Sequence, residues 1–183
     1  AASDVYKRQE DTEDPLKVAV LMNAHALNST QNIVCSGIQD ALEQEKLQGS
    51  EIQMSLITVD DTNTFSVEES IRDIFMDQTL PDIIICLNEL STTCVYQAVV
   101  DYNCVGEIAI LGYYDTDTIL KAIERNVITA TISIDTEQMG AFCVDALQEY
   151  YNYGYTSQYF TADVTVIDQS NVEEYLGKQE EAE

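Results

Sequence analysis

The 183-residue chain predicts an α/β fold, a doubly wound and mainly parallel sheet with helices on both faces. Three observations carry this. Short apolar runs alternate with helical stripes from residue 17 to residue 134, the run IIICL is apolar at every position, and each run ends in polar residues. A strand that is apolar throughout must be buried on both faces, which points to the centre of a parallel sheet. Strand and helix in strict alternation then imply right-handed crossovers.

The elements follow in order. KVAVLM (17–22) is the first strand, and after the loop NAHALNS, residues Ile33, Val34, Gly37, Ile38, Ala41 and Leu42 predict the inward face of a helix. IQMSLITV (52–59) is the second strand, followed by a helix with Val67, Ile71, Ile74 and Phe75 inward and Pro81 as its stop. IIICL (83–87) leads into a helix that turns Cys94, Val95, Ala98, Val99 and Tyr102 to the core. EIAIL (107–111), a helix carrying Ile119, Leu120 and Ile123, and ITATISI (128–134) continue the rhythm. The helix TEQMGAFCVDALQEYY spaces Met139, Phe142, Cys143, Ala146, Leu147 and Tyr150 along one stripe, with Gly154 as its C-cap. ADVTVI (162–167) is a last strand, and the acidic stretch after Leu176 is expected to fray.

Composition narrows the function. A formal charge of −25, from 33 acidic and 8 basic residues, repels phosphate backbones and anionic lipid, which argues against a nucleic-acid contact. No run approaches the roughly 18 apolar residues of a membrane span. The opening SDVYKRQ is unusual, because DVYKRQ is what a common sequencing-transposon end encodes in frame; residues 1–9 read as a scar on a truncated gene. The five cysteines form no CxxC pair, and one histidine is too few to make a zinc site with them. Four of them fall on apolar strand or helix stripes and read as buried, reduced thiols.

In a doubly wound sheet, ligands bind outside the carboxyl ends of the strands. Those exits hold Asn23, His25 and Asn28, then Asp60 and Asp61, then Asn88 and Glu89, then Tyr113, Tyr114 and Asp115. Amides and carboxylates exchange hydrogen bonds with hydroxyls, and tyrosines add a flat apolar face, a mixture suited to a small polyhydroxylated ligand. Helix capping competes for the same residue types, and Ser29, Ser91 and Thr116 are the expected caps. The loop His25 reads first as a hydrogen-bonding surface group. No GxSxG, GxGxxG or GxxxxGK[ST] is present, so neither an acyl-transfer enzyme nor a nucleotide cofactor is expected, and Asp60 beside Asp61 is a weak metal pair. The six aromatics of YYNYGYTSQYF (150–160) read as half-buried against a neighbour.

Three stretches, ICLNE, AILGYYDTDTILKAI and ITATISIDTEQMGAFCVDAL with Gly140, resemble the C-terminal lobe of type I periplasmic solute-binding proteins, the ribose-binding-like group related to lactose-repressor effector domains. The likeness covers residues 16–176. It implies a two-lobed protein that closes over a sugar-like ligand and hands it to an ABC-type permease outside the cytoplasm, without covalent chemistry or cofactor. Under it, residues 10–134 form the C-terminal lobe, 135–165 a remnant of the other lobe, 166–176 a return strand and hinge, and 177–183 an acidic tail. It places the family's ligand-contacting positions on His25, Asn32, Asn88, Tyr114 and Ile134, and the carboxylates next to the last two, Asp115 and Asp135, are candidate contacts with them. The chain departs from the pattern where no arginine occurs between Arg8 and Arg72, where Tyr114 replaces an aspartate with Asp115 next, and where Ile134 replaces a glutamine with Asp135 next. The alternative is the effector domain of a lactose-repressor-like regulator or a membrane sensor. A flavodoxin-like or Rossmann-like enzyme is a third reading. Without a companion lobe, the stripe Met139, Phe142, Ala146 and Tyr150 is expected to lie partly uncovered.

Overall fold

A computed structural model describes residues 15–25, 29–47, 51–77, 79–157 and 159–180. The expected scar (1–9), Asn28 and the end of the acidic tail lie outside the described residues. The strands are β1 (Leu16–Asn23), β2 (Ile52–Val59), β3 (Ile83–Cys86), β4 (Ala109–Tyr113), β5 (Ala130–Ile134) and β6 (Val164–Asp168). The helices are α1 (Ser29–Leu47), α2 (Thr64–Met76), α3 (Glu89–Asp101), α4 (Asp117–Glu124), α5 (Thr136–Tyr153) and α6 (Val172–Glu180). The strands form one sheet in the order β2-β1-β3-β4-β5-β6, parallel except for β6, which runs antiparallel to β5. This is the predicted α/β class.

Alternation along the strands divides the core. Ala19, Leu21, Ile84, Cys86 and Ile110 face α2, α3 and α4, whose Val67, Ile71, Val95, Val99, Ile119 and Ile123 are all buried. Val18, Val20, Ile83 and Ile85 face α1 on the other side. Each fully buried aliphatic side chain contributes about 1.5–3 kcal/mol, so the larger cluster under α2 to α4 dominates the stability of the sheet.

Several expectations are corrected. On α1 the inward residues are Cys35, Ile38 and Leu42, while Ile33 and Val34 are exposed and so is Ala41. Cys35 packs beside Val18, Val20 and Ile52, and this rotates the helix away from the stripe read with Gly37, which has no side chain to anchor it. The helix α2 ends at Met76, before Pro81. β4, β5 and β6 begin two residues later than read, at Ala109, Ala130 and Val164. Beyond Leu176 the chain does not fray but stays helical to Glu180; Val172 is buried, and Tyr175 and Leu176 pack on the main cluster.

α5 differs from the other helices, because none of its residues is buried. Met139, Leu147 and Tyr150 are exposed, and the ring of Phe142 packs against that of Phe160, with centroids 5.4 Å apart. The expected exposure of this stripe is therefore observed. Gly154 caps the helix in the left-handed region (φ 76°), its N–H donating to the Tyr150 carbonyl at 2.8 Å, as expected. The tyrosines of this stretch are not half-buried: Tyr151 and Tyr153 at the end of α5, which buries none of its residues, and Tyr155 and Tyr159 beyond it are all exposed. Cys143, on the same helix, is exposed too, whereas Cys35, Cys86, Cys94 and Cys104 are buried. Burial pushes the Cys86 thiol up to about 12 and Cys94 to about 11, so both stay protonated.

Candidate functional site

The order of the strands makes β1 and β3 the switch point. From β1 the chain crosses by α1 to β2 on one side; from β3 it crosses by α3 to β4 on the other. The two crossover helices lie on opposite faces of the sheet, the arrangement that in doubly wound sheets opens a crevice at the carboxyl ends of the two strands. The exits of β1 and β3 meet there. The Asn88 side-chain amide donates to Asn23 Oδ1 at 2.7 Å, and the Asn23 backbone N–H donates to Gln31 Oε1 at 3.1 Å.

Asn88 has a second task. Its backbone is extended (φ −156°), which makes it the N-cap of α3, and its Oδ1 accepts the Ser91 N–H at 2.8 Å. Ser91, expected as the cap, is instead the third helical residue, buried inside the turn. Thr116 holds the N-cap position of α4 but makes no side-chain cap bond. Asn63 and Asp135 cap α2 and α5, accepting from Ser66 and Gln138 respectively. Ser29 lies in the first turn of α1 rather than before it.

Capping by Asn88 leaves one amide hydrogen and the remaining lone pairs of both asparagines for a ligand. Thr92, completely buried, ties this exit to the next: its Oγ1 donates to the Asn88 carbonyl at 2.8 Å and accepts the Tyr113 N–H at 3.0 Å. The exit of β4 is in turn fastened to β5. The Tyr114 N–H donates to the Ile132 carbonyl (2.8 Å), Thr131 Oγ1 donates to the Tyr114 carbonyl (2.6 Å), and Ser133 Oγ donates to Asp115 Oδ2 (2.8 Å). A polar lattice thus runs along the carboxyl edge from β1 to β5.

His25 and Asp61 join the exits of β1 and β2. Both the backbone N–H and Nδ1 of His25 lie 2.9 Å from Asp61 Oδ1, and Asp60 is 3.9 Å from the ring. The imidazole is 66% exposed, the surface hydrogen-bonding role expected of it. Burial raises the Asp61 pKa, but the two bonds from His25, a bond from its own backbone N–H and the charge of His25 together outweigh it, and the net shift is downward from 3.8. Hydrogen bonds from Thr62 lower Asp60 as well. A carboxylate whose folded pKa is depressed adds stability above its unfolded pKa and loses it as pH falls through the lower folded value. Asp61→Asn is therefore expected to lower the urea midpoint at pH 6 and to match the wild type near pH 2. An unchanged difference across that range contradicts this assignment.

Asn32 lies exposed on the first turn of α1, and Asp135 is exposed at the N-cap of α5, where it also donates its N–H to the Asp163 carbonyl. Of the expected contact residues, the lattice joins Asn88, Tyr114 and Asp115; His25 sits at its β2 end, and Asn32 and Asp135 stand outside it. The supporting residues Gln31, Thr92, Thr131 and Ser133 were not anticipated. Thr131 and Ser133 carried a signal, because two hydroxyls at i and i+2 place polar groups on one buried face of an otherwise apolar strand. No lysine or arginine occurs in residues 23–32, 60–66, 87–92, 113–117 or 135–137. An open groove of ≈ 680 Å³ lies elsewhere, over the outer part of the sheet, lined by Lys17, Ser55, Asp73, Asp77, Thr79 and Pro81.

The chain has the fold of a lobe of a type I periplasmic sugar-binding protein. Among solved structures, it is similar to GanP, a glucose-galactose binding protein from Geobacillus stearothermophilus (18% identity, TM-score 0.74, 92% of this chain and 59% of that one). It is also similar to a solute-binding protein from Agrobacterium vitis bound with α-D-tagatopyranose (14%, 0.76, 90% and 54%) and to one from Bacillus halodurans with bound myo-inositol (16%, 0.70, 88% and 54%). The chain thus spans less than two thirds of each. No protein-family model matches the sequence, and no curated protein does.

Proposed function

We propose that this chain supplies one wall of a solute-binding site that captures a small, neutral, sugar-like ligand between two lobes and presents it to an ABC-type permease outside the cytoplasm. The observation that supports this most is the meeting of Asn23 and Asn88 at the β1/β3 switch point, where amide donors and acceptors converge at strand exits whose sequence carries no lysine or arginine. Hydroxyls, which both donate and accept, are the groups such a set recognises, and a buried hydroxyl left unmatched costs about 1–3 kcal/mol, which gives selectivity. The three similar structures described above are named for, or hold, a sugar or a cyclitol.

In this reading residues 10–134 are the C-terminal lobe, and 135–165 belong to a companion lobe. The absence of any buried residue on α5 supports that division, as does the share of the similar structures that the chain spans. Binding proceeds by lobe closure and needs no catalytic group. The test is isothermal titration of the two-lobed protein with neutral pentoses, hexoses and inositols. Saturable one-site binding of at least one is expected; silence across the panel contradicts the proposal.

A further inference from the structure

β2 lies at one end of the sheet and, among the described residues, pairs only with β1. The register runs unbroken from Leu16 opposite Ile52 to Asn23 opposite Val59, so no bulge turns the strand aside. The carbonyls of Glu51 and Val59 accept from the N–H groups of Leu16 and Ala24. Alternate residues of a parallel strand bond to the same neighbour, so the odd-numbered residues of β2 face β1, and Ile52, Met54, Leu56 and Thr58 point their N–H and C=O groups away from the sheet.

Proteins usually blunt such an edge with lysine, proline, a bulge or a very short strand. β2 uses none of these: it is 8 residues long, and IQMSLITV contains neither a charge nor a proline. The two faces beside the edge differ. On one, Met54 packs on the cluster under α1, and Leu56, on the same face by alternation, is 53% exposed. On the other lies the open groove, with Ser55 on its β2 side, Ser70, Asp73 and Asp77 on its α2 side and Lys17 on its β1 side.

We infer that the outer edge of β2 docks an extended segment of another protein, which adds a strand to the sheet with its apolar side chains towards Met54 and Leu56 and alternate lysines or arginines over Asp73 and Asp77. A chain of formal charge −25 draws a basic segment towards it and repels an acidic one. Backbone bonds to the four outward residues supply affinity, and the alternating side chains supply specificity. The spacing agrees, since Asp73 and Asp77 are separated by one turn of helix, about 6 Å, and two residues of a strand advance roughly 6.6 Å. A second copy of this chain fits less well, because it brings the same negative charge to the same acidic groove. The edge is separate from the β1/β3 exits, so docking here does not depend on the sugar reading.

The test is amide hydrogen exchange of the labelled full chain with an acetylated and amidated peptide of alternating lysine and valine. The amides of Met54, Leu56 and Thr58 are expected to exchange freely in the chain alone and to slow roughly tenfold or more with the peptide, while those of Gln53, Ser55 and Ile57, which face β1, change little. The same peptide with glutamate for lysine should have no effect. Asp73→Lys should weaken the basic peptide roughly twofold to fivefold. Leu56→Pro removes an outward N–H, leaves the ladder to β1 intact and should abolish the protection. N-methylation puts the same block in the peptide, where the folding of the chain is not at stake: of two peptides, one methylated at its lysines and one at its valines, only one should still dock, because alternate residues present their N–H groups to opposite edges. No slowing with the basic peptide, equal slowing with the acidic one, or equal behaviour of the two methylated peptides overturns the inference. Protection that appears without peptide as the chain is concentrated assigns the edge to a second copy and overturns it as well.

Discussion

Replacing Asn88 with alanine is expected to lower both stability and ligand affinity, because one side chain performs two tasks. Its Oδ1 caps α3 through the Ser91 N–H, and its amide reaches Asn23 across the switch point. Loss of an N-cap costs about 0.5–2 kcal/mol, and the loss of the Asn23 partner adds to it. The chain should therefore melt several degrees lower. Asn88→Ser separates the two tasks, since a serine hydroxyl caps a helix nearly as well but is too short to span to Asn23. We expect Asn88→Ser to recover most of the stability and none of the affinity, by thermal melts and calorimetric titration of the two-lobed protein. Affinity that returns with the serine would mean that Asn88 acts on the ligand only through the fold of α3.

Gly112→Ala carries the second large effect. Its new Cβ would sit 2.6 Å from Thr92 Cγ2, and Thr92 has no freedom to withdraw. Rotating it breaks its bonds to the Asn88 carbonyl and to the Tyr113 N–H, which fasten β3 to β4 at the site. Overpacking of this kind costs about 1–3 kcal/mol. Thr92→Ser removes the offending methyl and keeps the hydroxyl, so the double variant Gly112→Ala with Thr92→Ser should be more stable than Gly112→Ala alone in urea melts. A Gly112→Ala chain as stable as the wild type would show that the approach of α3 to β4 is looser than described.

These two positions also show what was readable in advance. The order of strands and helices followed from periodicity alone, and α2 kept its whole predicted stripe because Val67, Ile71, Ile74 and Phe75 sit at unambiguous helical spacing. On α1 the same method misplaced the inward face, since Ile33 and Val34 outweigh Cys35 by hydropathy while packing against Val18 and Val20 decides for the cysteine. α6 was missed because its acidic composition hides three packing residues, Val172, Tyr175 and Leu176. At the site, the exits could be named from strand ends, and two of their residues, Asn23 and Asn88, meet at the β1/β3 switch point. Which residue caps could not be named, because Asn88 and Ser91 are both good caps and only backbone geometry separates them. The supports from Thr92, Thr131 and Ser133 depend on register across strands, which a single sequence does not state.

The central claim is that the carboxyl ends of β1, β3 and β4 form one ligand-facing edge. Its most direct measurement is the amide chemical-shift footprint of the labelled chain titrated with a neutral hexose. Shifts confined to Asn23, His25, Asn88, Glu89, Tyr114 and Asp115 are the expected result. A footprint on Lys17, Ser55, Asp77 and Thr79, which line the groove on the outer part of the sheet, would contradict it.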